Sequence, residues 1–425
     1  MTPEVVSKYL ESQGKQGHWQ IDGCVKGGFV GVVVIPALAE SNNLFATLQS
    51  LAQNPPELLS RVLVLVIVNH CELASADDIA DNLATLSLLN CKPQSLAELN
   101  LSWIDAASPG RELPLKHGGV GLARRIGLDL ALTRLDYNST NPFLVCLDAD
   151  TLVRHDYLAT LVRHFNNNIS GGAVINFRHQ KDSSVEIESA ILRYELFLRS
   201  YVFGLSLAGS PYAFHTVGSA MACRASAYVK IGGMNSRNAG EDFYFLQQLS
   251  RTVGVAQVHG TVVYPSCRAS HRVPFGTGRS MSKCLDGDVE TVLFYHPECF
   301  RILGQWLTLV HENLHMNGSE LQALARGIST FLAEYLESIL FADVWKKLQR
   351  NNRNQIAMQA AFDGWFDGLK TMKFIHYLSA GPFPRQGPVF ALSGLFEWAG
   401  SPVTSGIEEQ MAELCKMQLG DDYEG

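Results

Sequence analysis

The chain has 425 residues, of which 47% are hydrophobic and 18% are charged. This length allows one large domain with an extension, or two domains, and the apolar content suffices for a sizeable core and argues against a disordered chain. The formal net charge of −7 argues against a general nucleic-acid binder, which would carry an excess of basic residues.

The sequence carries no signal for secretion or for membrane insertion. Its first twenty residues lack the apolar stretch of a signal peptide, and the apolar runs at residues 29–39 and 62–68 are too short to span a bilayer. The nine cysteines include no C-x-x-C pair, which fits unpaired thiols in a reducing compartment. We therefore expect a cytoplasmic protein without a transmembrane segment.

Strands and helices are predicted to alternate along the first 180 or so residues. The predicted strands lie at residues 29–36, where Pro36 ends the ladder, and at 61–68, 101–106, 143–147 and 171–177. The predicted helices lie at residues 3–12, 44–51, 120–133 and 157–165. This alternation predicts an α/β sheet, mostly parallel, in which ligands bind at the carboxyl ends of the strands.

The pattern changes near residue 295, after which helices dominate. Helices are predicted at residues 300–316 and 319–348, and "SELQ" at 319–322 has the form of a capping box. We therefore predict a first domain at residues 1–295 and a helical C-terminal region at 296–425.

Two carboxylates follow the buried strand predicted at residues 143–147. In "LDADT", Asp148 and Asp150 stand one residue apart where the strand ends. One interpretation is a solvated turn in which an aspartate caps the helix that begins near His155. The other is a site for Mg²⁺ or Mn²⁺, which prefer a few carboxylates together with phosphate oxygens of a substrate such as a nucleotide diphosphate. The pair alone leaves both interpretations open.

Other charged residues accompany this pair. Glu241 and Asp242 follow a glycine-rich turn at the start of a predicted helix, where acidic residues are either ordinary partners of the helix dipole or an active-site base. The loop at residues 270–281 is basic and rich in glycine, which suits a lid over phosphate groups. Arg124 lies on the helix predicted at residues 120–133 and either faces a diphosphate or remains solvated.

Five motifs, in their order along the chain, resemble those of family 2 glycosyltransferases with the GT-A fold, which use nucleotide sugars. They are "VIPALAE" at 34–40, "ARRIGL" at 123–128, "LDADT" at 147–151, "GSAMACRASAYVKIGGM" at 218–234 and "GEDFYF" at 240–245. The resemblance covers residues 30–280 and implies a Rossmann-like, mostly parallel mixed sheet flanked by helices. The chain departs from the family at Ala39, Asn69 and Arg125, which leaves open whether the sugar donor carries UDP or GDP.

The resemblance also implies roles for individual residues. Asp242 would be the general base of an inverting transfer and Glu241 would orient the sugar donor or the acceptor, although some enzymes with this fold retain configuration. Mn²⁺ or Mg²⁺ would be the cofactor, with Asp150, Asp148 and His271 as ligands. The residues implied to contact the nucleotide sugar are Pro36, Ala37, Glu40, Asn69, Arg124, Asp148, Gly218, Ser219, Arg272 and Arg279.

A further motif predicts a different class of enzyme. "HENLH" at residues 311–315 fits H-E-x-x-H, in which His311 and His315 share a helix face and bind zinc while Glu312 acts as the base of a metallopeptidase. A packing helix with polar residues on its outer face explains the same segment. A third class is a GT-A domain that binds nucleotide sugars without catalysis.

The acceptor has no signature in the sequence. The predicted helix around residues 188–205 carries an apolar stripe that is more typical of a core than of a lipid groove. The C-terminal helices either shape the acceptor site or form a homo-oligomer, and the sequence favours neither role.

Overall fold

The structure, a computed structural model of the chain, describes residues 2–14, 17–24, 26–139, 141–237, 240–268, 280–282, 293–403 and 406–420. The chain divides into two units. The sheet unit comprises Met1–Glu188 and Thr216–Ser282, and the helical unit comprises Ser189–His215 and Lys283–Tyr423.

A mixed β-sheet of nine described strands forms the centre of the sheet unit. The strands are β1 (Ile21–Gly23), β2 (Gly31–Ala37), β3 (Val62–Asn69), β4 (Asn100–Ala106), β5 (Phe143–Cys146), β6 (Leu152–Val153), β7 (Gly172–Phe177), β8 (Met221–Arg224) and β9 (Val255–Tyr264). Their order across the sheet is β1-β4-β3-β2-β5-β8-β7-β9-β6. Strands β2 to β5 are mutually parallel, and the mostly parallel α/β sheet predicted from the sequence is confirmed.

The direction of β8 decides which segments meet at one edge of the sheet. Strand β8 is antiparallel to both β5 and β7, and β9 is parallel to β7, so β7 and β9 point in the same direction as β2 to β5. The carboxyl ends of these strands therefore share one edge with the amino end of β8. We call this the carboxyl edge.

The central strands are buried because their residues are almost entirely β-branched or aliphatic, as a two-sided parallel sheet requires. Pro36 does not end β2, contrary to the prediction, because the strand continues to Ala37. Strand β5 pairs with β2 only as far as Val34, so Pro36 pairs only with Ile67 on β3. Because no strand pairs with Pro36 on the β5 side, its missing N–H interrupts no hydrogen bonding there.

Helices cover the sheet. They are α1 (Glu4–Ser12), α2 (Ser41–Ala52), α3 (Pro56–Leu59), α4 (Ala76–Cys91), α5 (Val120–Ala131), α6 (Tyr157–Asn167), α8 (Ala225–Lys230) and α9 (Glu241–Val253). Helix α7 (Val185–Leu207) begins in the sheet unit and lies mostly in the helical unit. The predicted apolar stripe of α2 is confirmed, since Leu44, Leu48 and Leu51 are fully buried. Helix α9 also begins at Glu241 as predicted, with Phe245, Leu246 and Leu249 buried.

The helical unit contains eight further described helices. They are α10 (Pro297–Glu312), α11 (Gly318–Ile328), α12 (Thr330–Ser338), α13 (Phe341–Asn351), α14 (Gln355–Trp365), α15 (Gly368–Ala380), α16 (Pro388–Ala399) and α17 (Ile407–Leu419). Its core is aromatic, with Trp306, Phe341, Trp345 and Phe362 fully buried and in ring contact. The predicted helical character of the C-terminal region is confirmed.

The single helix predicted at residues 319–348 is wrong. The segment forms three helices because Ser329 has an extended backbone and Leu340 a left-handed one, with φ of 53°. The capping box is also displaced from its predicted position. Asn317 is its first residue and Glu320 its fourth, because the Asn317 side chain accepts from the backbone N–H of Glu320 while the Glu320 carboxylate accepts from that of Asn317.

The boundary between the units differs from the one predicted at residue 295. Residues 189–215, which include most of α7, group with the helical unit, and the first unit resumes at Thr216. The apolar side chains Leu196, Phe203 and Leu205 belong to the core of the helical unit, which explains the difference. None of the described helices is both long enough and apolar enough to cross a membrane.

Leu340→Gly is expected to stabilise the helical unit by about 0.5–1 kcal/mol, because a left-handed backbone strains any residue with a Cβ and the Leu340 side chain is 66% exposed. Urea denaturation measures the change. The matched control is Leu324→Gly on α11, whose side chain is 46% exposed and whose backbone is helical. This variant should lose about 1 kcal/mol, and a loss of stability in both variants would contradict the prediction.

Candidate active site at the carboxyl edge

Five carboxylates converge at the carboxyl edge of the sheet. Asp148 and Asp150 lie in the turn after β5, Glu40 follows β2, and Glu241 and Asp242 begin α9. Asp150 interacts electrostatically with Asp148 and Glu40, and Asp242 does so with Glu241 and Asp148. We call these five residues the acidic cluster. Each was a candidate from the sequence motifs, and the fold brings them together.

Arg124 joins two members of the acidic cluster. Its guanidinium group, on α5, donates to Asp148 and to Glu241, and its side chain is only 3% exposed. Burial lowers the pKa of Arg124, but the two carboxylates outweigh burial and the pKa lies above its usual value. Arg124 is therefore a buried countercharge for Asp148 and Glu241 and is not solvated, whereas its contact with a diphosphate stays a prediction.

Gly218 makes room for this arginine. A Cβ atom at position 218 would lie 2.6 Å from Nη2 of Arg124, so a larger residue would push the guanidinium away from its carboxylates. Ser219 follows and is almost fully buried just before β8. Pro36 and Ala37 are the last two residues of β2 and are buried as well.

Arg268 joins two other members of the cluster, although no sequence motif pointed to it. Its guanidinium group donates to Glu40, and its Nε donates to Oδ2 of Asp150 at 3.0 Å. Burial and the negative charges of Asp148 and Glu40 raise the pKa of Asp150 to about 6, and Arg268 opposes this rise. The sequence offers one signal for Arg268 in retrospect, since it follows a strand whose carboxyl end reaches the same edge.

Asp242 has the electrostatic character of a proton acceptor. Burial of its carboxylate, followed by repulsion from Glu241, raises the pKa of Asp242 to about 7, while Arg124 and the backbone N–H of Phe243 oppose this rise. The Phe243 N–H donates to Oδ1 of Asp242 at 2.7 Å. A carboxyl group with a pKa near neutrality exchanges protons readily at physiological pH.

Asp148 and Asp150 fit a divalent cation by their chemistry and by the charge around them. Hard cations prefer oxygen ligands, and these two side chains keep 36% and 22% exposure. The acidic cluster has five carboxylates, and two arginines contact it among the described residues. Within this group of seven side chains, negative charge is in excess when all seven are ionised. No three His, Cys, Asp or Glu residues of the described ranges are grouped as metal ligands.

Asn69, predicted near a nucleotide base, ends β3 with its side chain 4% exposed. Its Oδ1 atom is buried and has no hydrogen-bond partner within the described part of the chain. Neighbouring backbone is fixed by Asn82, which donates to the Asn69 carbonyl at 3.2 Å and accepts from the Ala39 N–H at 2.9 Å. An unpartnered buried acceptor favours a ligand with an N–H group, because a buried oxygen without a hydrogen bond is costly.

Three predicted site residues, His271, Arg272 and Arg279, lie outside the described residues. The third metal ligand and the two phosphate contacts implied by the family resemblance therefore stay predictions.

The predicted zinc site in "HENLH" is wrong. Helix α10 ends at Glu312, so His315 lies beyond the helix and does not share a helix face with His311. His311 contacts Oδ1 of Asp363 through Nε2 at 2.8 Å, and no metal-ligand group is found among the described residues, which include the whole motif. The segment is a packing helix, with Trp306, Leu307 and Val310 of its apolar face buried.

Comparison with known proteins yields similarity to solved structures only. No protein-family model and no curated protein matches the chain. Residues 1–349 of S. aureus TarS in complex with UDP-GlcNAc are similar with a TM-score of 0.37 and 13% identity, over 92% of this chain and 92% of that chain. M. tuberculosis glucosyl-3-phosphoglycerate synthase is similar with a TM-score of 0.32 and 14% identity, over 69% and 86%.

Asp242→Asn is expected to stabilise the sheet unit at about pH 8 and to have less effect at about pH 5. A carboxyl group whose pKa is raised to about 7 by folding favours the folded state fully below its unfolded pKa, and this contribution is lost as the pH rises through about 7. Asparagine is neutral throughout, so the gain at high pH should be on the order of 1–2 kcal/mol. Urea denaturation at the two pH values measures it.

The control is Asp343→Asn, which removes an exposed carboxylate on α13. It should change stability equally at both pH values. An Asp242→Asn variant with the same flat response would show that the pKa of Asp242 is not raised.

Proposed function

We propose that the chain is a glycosyltransferase that moves a sugar from a nucleotide-diphosphate sugar to an acceptor hydroxyl group. The observation that carries this proposal is the convergence of two carboxylate pairs at one sheet edge. The pair Asp148 and Asp150 follows a central strand, the pair Glu241 and Asp242 begins α9, and Arg124 connects the pairs. The first pair suits a metal–diphosphate group and the second suits proton transfer.

Asp242 is the general base in this proposal. It takes the proton from the acceptor hydroxyl, whose oxygen forms a bond to the anomeric carbon while the bond from that carbon to the diphosphate oxygen breaks. The electron pair leaves with the diphosphate, and attack opposite to the leaving group inverts the anomeric centre. The raised pKa of Asp242 supports this role, because a base with a pKa near neutrality is both available and strong enough.

Asp150 and Asp148 are the proposed ligands of Mn²⁺ or Mg²⁺. When bound, such an ion neutralises the negative charge that develops on the departing diphosphate. Among the described residues, the carboxylates of the acidic cluster outnumber the guanidinium groups that contact them, which supports the assignment. Burial and repulsion from Asp148 and Glu40 raise the pKa of Asp150, and a cation would relieve this repulsion.

Asn69 is the proposed contact to the nucleotide base. Its buried Oδ1 accepts from a ring N–H, which both uracil and guanine present. The donor panel used to test the function therefore includes sugars of both nucleotides.

Asp242→Asn should fold and bind the nucleotide sugar but lose transfer, because the amide cannot accept the acceptor's proton. The wild-type chain and the variant are incubated with UDP- and GDP-sugars, and slow hydrolysis to the free nucleotide is followed with water as acceptor. We expect a loss of about 10²-fold or more in the variant.

Two results would separate the alternatives. Near wild-type turnover by Asp242→Asn would remove Asp242 from its role as base. Binding of a nucleotide sugar by the wild type without hydrolysis, and without transfer to any acceptor of a sugar panel, would favour a binding protein over an enzyme.

Chelation with EDTA should abolish binding of the nucleotide sugar. Asp150→Asn should weaken this binding by about tenfold or more, even in saturating Mn²⁺, because one carboxylate ligand is lost. Isothermal titration calorimetry measures both effects. Asp343→Asn, an equal change of charge at an exposed position of α13, should bind as the wild type does. Tight binding in EDTA would remove Asp150 from its metal role.

A further inference from the structure

Helix α2 has a buried polar face beside its leucine stripe. Thr47 and Ser50 of the helix are 0% and 8% exposed, and Asn54, two residues beyond its end, is 2% exposed. Their spacing of three and four residues places them on one side of the helix. Polar groups buried in this way need hydrogen-bond partners.

Ser50 and Asn54 also donate to carbonyls of α2, those of Thr47 and Leu51. All the other partners belong to residues 149–158, a segment that begins within the acidic turn, the turn that carries Asp148 and Asp150. Thr47 Oγ1 donates to the carbonyl of Ala149 at 2.9 Å, Ser50 Oγ accepts from the N–H of Val153 at 3.1 Å, and Asn54 donates to the carbonyl of Arg154 at 3.2 Å and accepts from the N–H of Leu158 at 2.9 Å. The polar face of α2 therefore fixes the backbone of the turn and of the residues that follow it.

Gln180 holds the same turn through a neighbouring carbonyl. Its Nε2 donates to the carbonyl of Asp150 at 2.8 Å and to that of Tyr264, at the end of β9, at 2.7 Å. Two successive carbonyls of the turn, those of Ala149 and Asp150, are thus held by side chains from α2 and from the segment between β7 and α7. We call Thr47 and Gln180 the turn clamp.

The clamp differs from the two arginines in its chemistry. Arg124 and Arg268 bind the carboxylates themselves, and positive charge beside a carboxylate competes with a metal ion. Thr47 and Gln180 are neutral and bind only the backbone, so they fix the position of Asp148 and Asp150 without reducing the negative charge available to a cation. Ligands held in place before binding lose less entropy when the cation arrives.

We propose that Thr47 and Gln180 are positioning residues that preorganise the acidic turn for a divalent cation and the diphosphate of the sugar donor. This inference rests on the proposed function, because it assigns the turn to that ligand.

The test uses Thr47→Val, which keeps the shape and removes the hydroxyl, and Gln180→Met, which keeps the length and removes the amide. Manganese affinity is measured from the free Mn²⁺ signal in electron paramagnetic resonance. UDP and GDP affinities are measured by calorimetry with and without MnCl₂. We expect each variant to bind Mn²⁺ about tenfold more weakly, as for other residues that orient metal ligands.

Two controls separate positioning from stability alone. Thr47→Ser keeps the hydroxyl and should restore wild-type affinity. Gln257→Met removes a glutamine of β9 that donates to Asn176 at 2.7 Å and to the carbonyl of Val174 at 3.2 Å, and neither partner belongs to the acidic turn. This variant should lower the Tm without changing the Mn²⁺ affinity.

The outcomes distinguish the inference from the function on which it rests. If the wild type binds Mn²⁺ or a nucleotide and the two clamp variants bind equally well, the clamp is structural only and the inference is overturned alone. If the affinity loss follows the Tm loss equally in Gln257→Met, the inference is overturned as well. If the wild type binds neither Mn²⁺ nor UDP nor GDP, the proposed function fails and the inference fails with it.

Discussion

The crowding of negative charge at the carboxyl edge is the constraint on which the rest of the site depends. Carboxylates that are partly withdrawn from water repel one another and lose hydration, and they persist only when cations or hydrogen bonds compensate them. Arg124 compensates Asp148 and Glu241, and Arg268 compensates Asp150 and Glu40. Burial, followed by the repulsion that remains between the carboxylates, raises the pKa values of Asp150 and Asp242.

Features that look unrelated in the sequence follow from this constraint. Gly218 lacks a side chain where the guanidinium of Arg124 needs space. Helix α5 carries Arg124 into the interior, where an arginine is tolerated only because two carboxylates meet it. A partly compensated cluster is also a functional signature, because perturbed carboxyl groups gathered at the ligand-binding edge of an α/β sheet are typical of active sites.

The elements that the sequence predicted well are those with strong local patterns. Strands β2 and β3 are almost continuous aliphatic runs, and α2 and α9 have regular apolar stripes, so a short local pattern predicts each of them. Strand β8 has only four residues and pairs on both sides with antiparallel neighbours, so it is too short for a local pattern to reveal it. The breaks at Ser329 and Leu340 were hidden for a similar reason, because the apolar spacing continues across them and tertiary packing decides where the backbone turns.

The wrong zinc prediction shows that local sequence patterns are limited in the same way when they predict a site. The spacing of the histidines in "HENLH" matches that of a zinc-binding helix. The two histidines would share a helix face, however, only if the helix continued through the whole motif. The helix ends at Glu312 and His311 contacts Asp363, a residue 52 positions away. Long-range contacts of this kind are set by the packing of the helical unit.

The sequence by itself determined the type of sheet, the location of Asp148 and Asp150 at a strand end and of Glu241 and Asp242 at a helix start, because these depend on periodicity and short motifs. Only the tertiary structure decided which charges meet. Arg124 and Glu241 are 117 positions apart, and Arg268 and Glu40 are 228 positions apart. The reversed direction of β8 and the order of the strands bring them to one edge, and electrostatic pairing falls off with distance in space, whatever the separation along the chain.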